Sequence, residues 1–169
     1  MRTDQPVTVR RLDYSPPDHL VDRIDLRFEL DPQRTVVTAA LSVRRREGAA
    51  PGAPLRLDGE ALELLSAEID GAPVPAARLH ATPDGLSIDA PPETFTLVTR
   101  VAIAPASNTE LMGLYVSNGN FFTQCEAQGF RRITWFLDRP DVMARYRVTL
   151  HADRARYPAL LSNGNLVAE

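Results

Sequence analysis

A chain of 169 residues is long enough for one domain that buries about 70% of its unfolded surface, so no disulfide or metal is needed to explain its folding. Its net charge of −3, with 22 acidic residues set among 19 basic ones, removes any overall pull towards nucleic acid or anionic lipid. Cys125 is the only cysteine, which excludes an internal disulfide. The N-terminus opens polar with no apolar leader region, and no window reaches the roughly 18 apolar residues of a membrane span. A cytoplasmic protein with no membrane partner is expected.

In chain order, Val7 and Val9 alternate in a short arm that ends in the turn-forming Asp13-Tyr14-Ser15-Pro16-Pro17-Asp18. Ile24, Leu26, Phe28 and Leu30 then share one face of a half-buried strand, with Asp25, Arg27 and Glu29 on the other. Asp31-Pro32-Gln33-Arg34 turns the chain, and Val37, Ala39, Leu41 and Val43 alternate back, which predicts a hairpin. Arg44-Arg45-Arg46 reads as a solvated strand end rather than an anion patch.

After a Gly/Pro/Ala loop over 47–54, short strands are expected at Leu55 and Leu57, from Leu62 towards Ile69, at Leu86 and Ile88, and at Phe95 to Ile103. A helical turn is an equal alternative at 62–65. Asp70-Gly71 and Asn118-Gly119 suit two-residue hairpin turns, the second leading into a return strand Phe121-Phe122-Thr123-Gln124-Cys125-Glu126. Asp138-Arg139-Pro140-Asp141 should form a tight corner, followed by a strand through Tyr146, Val148 and Leu150. Asn163-Gly164 predicts a last hairpin whose return strand begins at Leu166, an arm that reads as cut from a longer polypeptide. The pattern as a whole predicts an all-β domain over 1–169, a mostly antiparallel saddle-like sandwich of many short strands with at most a short helical turn.

Much chemistry is missing. His19, His80 and His151 are far apart, no His-Glu-x-x-His occurs, and neither a P-loop nor a Gly-x-Ser-x-Gly nucleophile motif is present. No catalytic residue and no metal ligand set is therefore assigned within this chain. What remains is the stretch from Thr123 to Asp141. If the strand continues through it, residues two apart share a face, so Gln124 and Glu126 project together while Cys125 turns to the core as a small hydrophobe. A carboxylate beside a carboxamide is an acceptor pair suited to a cation with several N–H donors, such as a primary ammonium. The competing reading is an internal ion pair of Glu126 with Arg131, Arg132 or Arg139, and residue types alone favour that one.

Gly113-Leu114-Tyr115, the run from Thr123 through Val142, and Tyr157-Pro158 with Leu160-Leu161-Ser162-Asn163-Gly164-Asn165 resemble the N-terminal domain of the bacterial aminopeptidase N family, zinc-dependent alanyl aminopeptidases of the gluzincin class. The Asp13-Tyr14, Thr35-Val36-Val37-Thr38-Ala39 and Pro54-Leu55-Arg56-Leu57-Asp58-Gly59-Glu60 segments are similar too, so the likeness covers nearly the whole chain. It implies a saddle-shaped β domain packed over a thermolysin-like catalytic domain. It also implies that Gln124 and Glu126 bind the free α-ammonium of a peptide, and that zinc and the general base lie in that catalytic domain, beyond Glu169. On this reading the chain alone has no peptidase activity. The alternative from another class is a non-catalytic β-sandwich that binds a protein partner. A carbohydrate-binding sandwich ranks last, because Trp135 sits in an apolar run rather than in a row of exposed aromatics.

Overall fold

The two long alternating segments pair as expected. In a computed structural model describing residues 10–168, β1 (His19–Glu29) and β2 (Thr35–Arg45) run antiparallel and bury Ile24, Leu26 and Phe28 against Leu41, Ala39 and Val37. The connecting turn is set by Asp31, whose Oδ1 accepts from the backbone N–H groups of Gln33 and Arg34 at 2.8 and 2.9 Å. Val7 and Val9 lie outside the described residues.

The remaining strands are β3 (Leu55–Asp58), β4 (Glu63–Ile69), β5 (Ala72–Pro73), β6 (Leu79–Thr82), β7 (Gly85–Ile88), β8 (Thr94–Ile103), β9 (Gly113–Ser117), β10 (Asn120–Gln124) and β11 (Arg145–His151). They form a six-stranded sheet in the order β11-β1-β2-β8-β4-β5, a three-stranded sheet β3-β7-β6, and the ribbon β9-β10. Only short 3-10 turns interrupt them, and the expected all-β class holds. Among the described residues every pairing is antiparallel except β1 with β11. The possible helical turn at 62–65 gives way to β4, which pairs with β8 through an irregularity between Leu64 and Ser66. Both two-residue turns have the expected left-handed residues, Asp70 and Gly71 at φ 51° and 80°, and Asn118 and Gly119 at 47° and 78°.

The inner face of the large sheet, Leu55, Leu57, Leu86 and Ile88 of the small one, and Ile133, Trp135, Phe136 and Leu137 form one contiguous apolar cluster. Trp135 is 2% exposed, so it serves the core. Arg44 and Arg45 pair with Asp22 and Glu93, and Arg46 donates to the carbonyls of Pro17 and Glu47. The three arginines thus end an interior strand rather than a sheet edge. β5 and β6 were not foreseen, because their side chains are largely exposed and carry no apolar alternation.

The expected C-terminal hairpin is not formed. Residues 152–168 contain no strand, and Leu161, Leu166 and Val167 are 91, 76 and 78% exposed. Asn163-Gly164 supplies turn chemistry, but a hairpin with no apolar face to bury against a core is at best marginal. Among the described residues no helix is long and apolar enough to cross a membrane.

His19, at the start of β1, is buried edge-on against Phe95. Burial pushes its imidazole below the ordinary value, with Arg45 acting in the same direction and Asp18 opposing. Above about pH 6.5 the ring is neutral in both folded and unfolded chains and contributes nothing to pH dependence. As pH falls below that, the unfolded chain takes up the proton first, so the folded state loses stability. Urea titrations should show wild type weakening between pH 6.5 and 5 more steeply than His19→Leu; equal slopes would contradict this.

Candidate functional site

The stretch Thr123–Asp141 is built on the ribbon and tied to the small sheet. β10 pairs with β9 from Asn120–Ser117 to Gln124–Gly113 and stops there. The expected strand through Glu126 is therefore not formed: Cys125 belongs to no strand and residues 126–129 form a turn. The reason lies across the ribbon, where β9 begins only at Gly113, at φ +73°, and leaves Cys125 no pairing partner. Gln124 keeps its strand position, but Glu126 is placed by the turn and not by period-2 alternation.

The turn nevertheless brings the two together. The Gln124 Nε2 donates to the Glu126 carbonyl oxygen at 3.1 Å, which commits the amide nitrogen and leaves Oε1 as a free acceptor. Both side chains are exposed. Cys125 is half-buried and packs against the core, and burial pushes its thiol up, with Asp138 acting in the same direction. The Glu126–Ala127 peptide bond is cis.

Two glycines let the turn close. The Gly129 N–H donates to the Cys125 carbonyl at 2.8 Å, and a Cβ on Gly129 would overlap the Gln124 carbonyl oxygen. A Cβ on Gly113 would meet Arg132 Cβ at 2.7 Å. Neither obstacle is a flexible side-chain tip, so backbone must move. Gly129→Ala is expected to cost about 1–3 kcal/mol, the scale of overpacking a tight site, read as a lower urea midpoint. An unchanged midpoint would show that the turn has slack.

The arginines around the turn all have other partners. Arg131 binds Asp138 through Nε at 2.9 Å and lies 3.9 Å from Asp58, Arg132 pairs with Glu60, and Arg139 pairs with Asp141 at 2.8 Å. Arg139 holds the Asp141 carboxyl below the usual carboxylate range, and Tyr14 donates to the same group at 3.0 Å. The expected corner at 138–141 is present, closed by Val142 N–H donating to the Arg139 carbonyl. Asp58 and Glu60 went unread in the sequence because they lie some seventy or more positions from their arginines, beyond any local pattern. Among the described residues Glu126 enters no ion pair.

The ribbon's outward face adds residues that the motif did not mark. Phe122 lies two positions before Gln124, is 48% exposed, and stacks on its cross-strand partner Tyr115 at 5.8 Å and 25° between planes.

The chain is 51% identical over 168 residues to aminopeptidase N of Caulobacter vibrioides and 50% identical over 167 residues to aminopeptidase N of Escherichia coli, covering 99% of its own length in both cases. It spans only 19% of the length of each of these relatives. Among solved structures, aminopeptidase A of Legionella pneumophila, in complex with aspartic acid, matches at a TM-score of 0.85 and 32% identity over 93% of this chain and 19% of that one. An M1 zinc metallopeptidase of Deinococcus radiodurans shares the fold, with a TM-score of 0.65 and 22% identity over 79% of this chain and 32% of that one. The profile of the Peptidase M1 N-terminal domain matches residues 23–169, and the chain belongs to that family.

Proposed function

We propose that this domain is the substrate-anchoring part of a longer zinc aminopeptidase, in which Gln124 and Glu126 grip the free α-ammonium of a peptide. The observation that carries the reading is the unpaired, exposed Glu126 carboxylate, left free while Arg131, Arg132 and Arg139 are each held by another acid. With Gln124 Oε1 it offers several acceptors to a group that has three N–H donors. Fixing the ammonium fixes its distance from the first peptide bond, which confines cleavage to the N-terminal residue. The solved Legionella pneumophila relative is described in complex with aspartic acid, a free amino acid that carries such an ammonium.

Zinc belongs to another part of the polypeptide. Among the described residues no group of three or more His, Cys, Asp or Glu could hold a metal, so this domain does not fit zinc and no step through the metal is assigned to it. Its partners are the peptide N-terminus and the catalytic domain of the same polypeptide, over whose active site it forms a cap. A free half-buried thiol fits a cytoplasmic setting.

In the full-length polypeptide, alanyl p-nitroanilide should be hydrolysed at least about a hundredfold faster than its N-acetyl derivative, because a site built for an ammonium leaves its acceptors unpaired against an amide. Equal rates on the two would reject the anchor.

A further inference from the structure

The outward face of the β9-β10 ribbon holds Tyr115, Phe122 and Gln124, with Ser117 and Asn120 at the turn. None of these is charged. Phe122 is not needed by the core: its neighbour Phe121 points the other way and packs on Tyr157 at 5.0 Å. An aromatic ring held 48% exposed by stacking, on the same strand face as a proposed ligand-binding amide, is a contact surface waiting for an apolar group.

We propose that the Phe122–Tyr115 pair contacts the side chain of the substrate's first residue and biases the enzyme towards bulky apolar N-termini. The proposal rests on the reading of Gln124 and Glu126 as the ammonium anchor. Positions two apart on a strand are about 6.5–7 Å apart. A leucine or phenylalanine side chain spans a comparable distance, so one directed back along β10 from an ammonium held at Gln124 meets the ring. The occupant must then be cationic at one end and apolar at the other. Gln124 and Glu126 match the first end, and the uncharged aromatic pair matches the second.

The test uses the full-length protein and the kcat/KM ratio of leucyl over alanyl p-nitroanilide. Phe122→Ala should lower that ratio by about fivefold to tenfold, the scale of losing part of an apolar pocket, and Phe122→Leu should restore most of it. Phe122→Thr, a strand-compatible residue, serves as a second truncation should the alanine variant fold poorly, and the same fall is expected. A ratio that stays constant, or rates that fall equally for both substrates, would overturn the proposal and leave the ring a packing element only. Glu126→Ala separates the two ideas. If it cripples alanyl hydrolysis while the Phe122 variants leave the ratio untouched, the side-chain contact alone is wrong; if it hydrolyses at the wild-type rate, the anchor and the contact fall together.

Discussion

Glu126→Ala in the full-length enzyme should lower kcat/KM for alanyl p-nitroanilide by about a hundredfold to a thousandfold. Once the catalytic domain covers the site, as proposed, removing one partner of a desolvated, hydrogen-bonded charge pair costs roughly 3–4 kcal/mol, chiefly because the remaining charge is left buried and unpaired. The conserved shape of Glu126→Gln keeps an acceptor but loses the charge, so it should fall between the two. The informative comparison uses propionyl p-nitroanilide, which lacks the amine. Wild type should favour the alanyl compound strongly, whereas Glu126→Ala should discriminate little between them, since the interaction that distinguishes the substrates is gone. An alanine variant that keeps wild-type kcat/KM would remove Glu126 from the binding machinery.

The second large effect is on stability. Trp135 is 2% exposed and Gly59 lies flat against its ring, so closely that any Cβ there would overlap it. Beside it, Asp58 and Phe136 exchange backbone hydrogen bonds at 2.7 and 3.1 Å, which fixes the ring under the small sheet. Trp135→Ala should cost about 3–5 kcal/mol, because a cavity that cannot collapse adds to the lost transfer energy. At about 2–4 °C per kcal/mol for a domain this size, the melting temperature should drop by roughly 6–20 °C. Trp135→Phe keeps most of the ring that fills this space and should cost less than the alanine change. Equal losses for the two would mean that a phenyl ring recovers none of the packing and that the full indole is required.

The readable parts of the fold were those with one buried face. Ile24, Leu26 and Phe28 announce β1 because every second side chain enters the core, whereas His80, Ala81 and Thr82 in β6 are exposed and announce nothing. Asn-Gly was legible as a turn at 118–119, but the same dipeptide at 163–164 produced no hairpin, since turn chemistry permits a reversal without supplying a surface for it to cover. Gln124 and Glu126 were legible by residue type, yet the strand alternation invoked for them ends at Gln124. Their proximity depends on Gly113 and Gly129, whose importance lies in space they leave empty. The ion pairs that release Glu126 from its neighbouring arginines involve Asp58, Glu60, Asp138 and Asp141, and only the last two are near enough in sequence to be suspected.

The single parallel pairing among the described residues bears on how the chain acquires its shape during synthesis. β1 is among the first strands to emerge, yet one of its two edges is covered only by β11, more than a hundred residues later, with the whole Thr123–Asp141 stretch made in between. Until Arg145–His151 leave the ribosome, β1 offers a row of unpaired N–H and C=O groups to any neighbouring nascent chain. Closing the sheet requires contacts of high sequence separation, which are slow to form. The turn at 126–129 is thus translated before β11, and a stalled or prematurely terminated chain would leave the β1 edge open and prone to association.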